Sequence, residues 1–141
     1  MPTASITLTV SDASDLSCIK ISQPTIAPGG GGNRVRLRNN SSTDTAIIVQ
    51  GKGNSPLDLQ FTVTNYTLVG STPVTVTGAN AGTNFNNQTV DSTGTTVTIT
   101  DIFGNTGPKN GTLPSWTYTI AVKNSSGNQG TIDPLIENEA L

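Results

Sequence analysis

The nine residues from Ser115 to Lys123 constrain the fold more than any other part of the chain. Trp116, Tyr118, Ile120 and Val122 fall on one parity, and Ser115, Thr117, Thr119, Ala121 and Lys123 on the other. A period of two places successive side chains on opposite faces of a strand, whereas a helix would scatter the same four apolar residues around its circumference. The one tryptophan shares this face with a tyrosine, so the core is expected to be built on sheet.

Other segments repeat the pattern. Ile6, Leu8 and Val10 alternate with Ser5, Thr7 and Thr9 in a first strand over roughly residues 4–10. Cys18, Ile19 and Ile21 predict a short second strand, ended by Gln23-Pro24. The Gly29 to Gly32 run that follows cannot sit inside a ladder and reads as a linker. Arg34 to Arg38 and Ala46 to Val49 form an expected hairpin around a polar turn. Leu57, Leu59, Phe61 and Val63 share a face of a longer strand, and Leu68-Val69 and Val74 to Val76 supply short ones. Residues 78–94 are rich in Asn, Gly and Thr and read as a long excursion. Val97 and Ile99 resume the alternation, with Asp101 on the same parity. A last strand is expected from Thr131 to Ile136, running into an acidic, polar end. No helix of normal length is predicted. The expected fold is all-β, an antiparallel immunoglobulin-like sandwich of about eight short strands, in a single domain spanning residues 1–141.

Composition agrees with this reading and narrows the chemistry. Charged residues are 11% of the chain and the net charge is −2, too little to favour a solvated disordered chain. There is no histidine and only Cys18, which removes the commonest general base, the commonest zinc ligand and any internal disulfide. The aspartates lack calcium-loop spacing, so no metal and no cofactor are expected. Arg34, Arg36 and Arg38 form a basic stripe on one strand face. With a pI near 4.7 the stripe reads as protection of a sheet edge, not as a phosphate contact, and nucleic acid is not an expected partner. No apolar run is long enough to span a membrane. The start Met1-Pro2-Thr3-Ala4 does not resemble a leader, and with a free cysteine this slightly favours the cytoplasm as an expectation.

One dipeptide carries chemistry of its own. In Asp133-Pro134 the aspartyl carboxylate can attack its own carbonyl carbon and close a five-membered anhydride, expelling the proline nitrogen. Attack requires the right rotamer, a polarised peptide and a proton for the leaving nitrogen. Without those, an ordinary strand or bulge containing proline accounts for the same two residues.

The tail from Gly130 to Glu139, following Trp116 to Lys123, resembles the DP-EP family of bacterial proteins over about the last third of the chain. The resemblance implies a small β-sandwich that cuts itself at Asp133-Pro134 and self-assembles as a homo-oligomer. It further implies that residues 134–141 remain as a cleaved strand, that the freed Asp133 becomes linked to a lysine, and that a catalytic aspartate activates water. The lysine candidates are Lys123 and Lys109. Lys123 would share a face with Asp133 as a diagonal neighbour, about 7–8 Å away between Cβ atoms. Lys109 lies in a turn able to fold over the site. Asp101 is the first candidate for the second acid, because its parity points it inward, where burial keeps a proton available; it could equally cap the turn at Phe103-Gly104-Asn105. Glu137 is the second candidate and is expected to be solvated.

Two other functions compete with self-cleavage. A non-enzymatic self-assembling module, as in a virion or surface sandwich, needs no special residue. A carbohydrate-binding sandwich would want exposed aromatics, yet Trp116 and Tyr118 are expected to be buried.

Overall fold

Alternation decides which segments become strands and which face each of them buries. The computed structural model describes residues 3–8, 25–27, 34–37, 46–51, 56–104, 106–108, 112–132 and 135–140. Twelve strands lie among them: β1 (Thr3–Leu8), β2 (Thr25–Ala27), β3 (Val35–Leu37), β4 (Ala46–Gly51), β5 (Leu57–Val63), β6 (Thr67–Leu68), β7 (Val74–Thr77), β8 (Phe85–Val90), β9 (Thr96–Asp101), β10 (Ser115–Lys123), β11 (Gln129–Ile132) and β12 (Leu135–Ala140). Every second residue of β1, β5 and β10 is buried, which matches the period of two in the sequence.

The strands form a five-stranded sheet, in the order β2-β1-β5-β9-β8, and a seven-stranded sheet. In the larger sheet β10 is paired on both sides: Thr117 with Thr77 and Leu135, Ile120 with Val74 and Ile132. One flank of β10 carries β7 and β6, and the other carries β11 and then β12, which leads on to β4 and β3. Two pairings are parallel, β1 with β5 and β12 with β4, so both sheets are mixed and not purely antiparallel as expected. Alternation reads the same for either direction of pairing, and only the chain's path decides between them.

A single apolar cluster joins the two sheets. Phe61 and Phe85 from the smaller sheet meet Tyr118 edge-on, with ring centroids 5.4 and 5.3 Å apart, and Phe85 meets Trp116 at 5.1 Å. Such pairs contribute about 0.5–1.5 kcal/mol each beyond the area they bury.

Several elements differ from the sequence reading. The excursion at 78–94 contains a 3-10 turn at Ala81–Thr83 and the edge strand β8. β2 follows Pro24, where no strand was expected, and pairs with β1. The strand expected around Cys18 and the glycine run at 29–32 lie outside the described residues.

A bulge in β8 ties the two sheets together at their open side. Two residues, Asn87 and Gln88, stand between the ladder positions Asn86 and Thr89, against one on β9, and Asn87 takes a left-handed φ of 56°. The side-chain amide of Gln88 then acts as a piece of strand for β7. Its Oε1 accepts from the Val74 N–H at 2.7 Å, and its Nε2 donates to the Val74 carbonyl at 3.0 Å. Replacing Gln88 by Ala removes both partners of Val74, and urea unfolding is expected to show a loss of about 1–2 kcal/mol with an unchanged slope.

Candidate functional site

Asp101 ends β9, where it pairs with Leu57 and Phe85, and is 0% exposed. Its Oδ1 accepts two hydrogen bonds, from the Phe103 N–H and from Asn138 Nδ2 of β12, both at 3.0 Å. The first closes an Asx turn that holds Phe103 at a φ of 54°, an uncommon conformation for an aromatic residue. The turn-capping role and the inward position, which the sequence left as alternatives, therefore coexist. Burial pushes the Asp101 carboxyl up to about 7; the two hydrogen bonds and the nearby Arg34 charge only partly oppose it.

Arg34 and Phe103 close this end of the sandwich. The Arg34 guanidinium lies 5.2 Å from the Phe103 ring centroid, and its Nε donates to the Gln50 carbonyl at 2.8 Å. Gly51 is required here, because a Cβ would run into the Phe103 ring and the Arg34 guanidinium. Arg36 instead makes a two-pronged pair with Glu139, at 3.0 and 2.9 Å, and Gln50 Nε2 also donates to Glu139 Oε1. Glu139 is 1% exposed, so its charge depends on these partners. Two arginines of the stripe thus serve the fold, and Arg38 lies outside the described residues.

The remaining sequence candidates are placed as follows. Glu137 is buried at 7% exposure, not solvated as expected, because β12 is an interior strand of its sheet. Lys123 is exposed and pairs with Gln129 and Thr67. Ile132 pairs with Ile120, three residues from Lys123 along β10. Asp133, Pro134 and Lys109 lie outside the described residues.

The strand on either side of the dipeptide is described. Ile132 pairs with Ile120, and Leu135 with Thr117; two residues intervene on each strand, so one register runs through both ladders. Tyr118, Asn138 and Glu139 escaped the sequence reading. Parity gives Tyr118 only a place in the core, and the two polar residues fall in the acidic, polar end of the last strand. The available signal was parity: Asn138 shares it with Ile136, and Glu139 with Glu137.

Among the described residues no three potential metal ligands cluster. Compared with models of known families and with curated proteins, the chain matches none.

The raised Asp101 value sets a pH dependence. Between about pH 4 and 7 the folded chain holds a proton that the unfolded chain has released, so this group's contribution to stability falls as pH rises through that window. Asp101→Asn keeps the acceptor for Phe103 and Asn138 and removes the charge. Urea unfolding is expected to find this variant close to the parent at pH 4 and more stable at pH 8, by on the order of 3 kcal/mol.

Proposed function

We propose that this chain is a single-turnover endopeptidase that hydrolyses its own Asp133-Pro134 bond, as its likeness to the DP-EP family implies. The unbroken β10 register around the dipeptide carries the proposal: Ile132 and Leu135 are both held in the ladder, so the chain entering and leaving the bond is fixed. Pinning the chain on both sides lowers the entropic cost of bringing groups together at the bond.

In the proposed reaction the Asp133 carboxylate oxygen bonds to its own carbonyl carbon and the C–N bond to Pro134 breaks. The nitrogen takes a proton, and water then opens the anhydride to leave a C-terminal aspartate. Asp101 is the proposed proton source, since it stays protonated to about pH 7 and is hydrogen-bonded to the departing strand through Asn138. A lysine amine that opens the anhydride in place of water would give the cross-link, and the product would be lighter by one water.

The fragment 134–141 is expected to stay in place. β12 makes six parallel pairs with β4 and three antiparallel pairs with β10; Ile136 is fully buried, and Arg36 holds Glu139.

Intact mass under denaturing conditions is expected to show two polypeptides for the parent and one for Asp133→Ala; an uncut parent after prolonged incubation overturns the proposal. The rate is expected to decline as pH rises through about 7, and Asp101→Asn to be slow throughout. In the cut protein, Arg36→Ala is expected to release the fragment at lower urea. Native mass of the same sample reads the expected self-association.

A further inference from the structure

Two polar side-chain atoms at the heart of the sandwich, Asp101 Oδ2 and Tyr118 Oη, have no hydrogen-bond partner among the described residues. Both residues are 0% exposed, and they come from opposite sheets, β9 and β10. They lie within electrostatic range of each other: burial first, and the Asp101 charge second, push the Tyr118 hydroxyl well above its ordinary value. A buried orphan keeps its full desolvation penalty, and native cores hold few of them. The two are of complementary chemistry, since a phenol donates and a carboxyl oxygen accepts.

Neighbouring contacts fix both groups. The Tyr118 ring stands edge-on between Phe61 and Phe85, which sets the direction of its hydroxyl. Asp101 Oδ1 is held by the Phe103 N–H and Asn138 Nδ2, which sets the direction of Oδ2. The polar and charged groups facing Asp101 are thus Tyr118 on β10, Asn138 on β12, the Phe103 N–H just after β9, and Arg34 just before β3.

We propose that Tyr118 Oη and Asp101 Oδ2 form one hydrogen-bonded acid, joined through one buried water, with Tyr118 as the positioning residue that couples Asp101 to the last strand. Tyr118 and Thr119 are the two β10 residues between Thr117 and Ile120, whose partners Leu135 and Ile132 flank the dipeptide. The main chain of Tyr118 therefore lies between the two ladder positions that flank the dipeptide. The coupling to cleavage rests on the proposed self-cleavage; the shared hydrogen bond does not.

The test separates the two. In full-length Asp133→Ala, carbon-detected NMR follows the Asp101 carboxyl through a pH titration, with and without Tyr118→Phe. The ring is kept, so its packing on Phe61 and Phe85 is kept. Loss of the hydroxyl removes a donor to the carboxylate, and the Asp101 midpoint is expected to rise by about one pH unit. An unchanged midpoint overturns the hydrogen-bonded acid whether or not the parent chain cuts itself. In the chain with Asp133 intact, Tyr118→Phe is expected to slow cleavage about tenfold and to move its pH profile upward with the midpoint. A shifted midpoint with an unchanged rate and profile overturns the coupling. An uncut parent overturns self-cleavage and the coupling with it, and leaves the titration to decide the shared acid.

Discussion

The larger sheet depends on a strand contributed by the last residues of the chain. Among the described residues β4 and β10 are each hydrogen-bonded to β12 and not to one another, so β3 and β4 join the rest of their sheet there only through Leu135–Ala140. Interior placement demands that both faces of β12 be satisfied. Ile136 fills the core, Asn138 donates to Asp101, and on the opposite face Glu139 is neutralised by Arg36 and accepts a hydrogen bond from Gln50. A polar tail becomes an interior strand because Asn138 Nδ2 and the Glu139 carboxylate meet partners of matching charge or hydrogen-bonding sense.

Asp101 is the costly member of this arrangement. Its turn with Phe103 needs only an acceptor oxygen, which asparagine would supply without a charge to bury. An aspartate instead makes the fold less stable above neutrality, because burial holds its carboxyl near 7. Groups kept against stability in this way are concentrated where proton transfer is needed. The same logic extends to Tyr118, since phenylalanine would fill its place between Phe61 and Phe85 without leaving a hydroxyl to satisfy.

How far the fold was legible depended on whether a strand buries one face or two. β5 and β10 bury alternate residues, and their extents, Leu57–Val63 and Ser115–Lys123, were readable from period two alone. β8 was not, because an edge strand with a bulge needs only Phe85 to anchor it and spends Gln88 on the neighbouring sheet. β12 was not, because polar residues satisfied by distant partners look like a solvated tail until the partners are brought together. The inward position of Asp101 followed from its parity with Val97 and Ile99. Its neighbours did not, since Asn138 and Tyr118 lie on strands that only the three-dimensional order places beside β9.

Pairing of Ile132 and Leu135 with β10 has a consequence for the proposed reaction. The new carboxylate and the new proline amine would stay at high effective concentration after hydrolysis, because Ile132 and Leu135 remain paired with β10. Re-formation of the bond is then favoured by the same pinning that favours its attack. Cleavage runs forward only if the ends separate, if the amine is protonated, or if the anhydride is opened by a nucleophile other than proline. Protonation of the released amine is the one of these that a buried acid beside the last strand promotes directly. The proton on Asp101 would then both assist the departure of Pro134 and oppose its return.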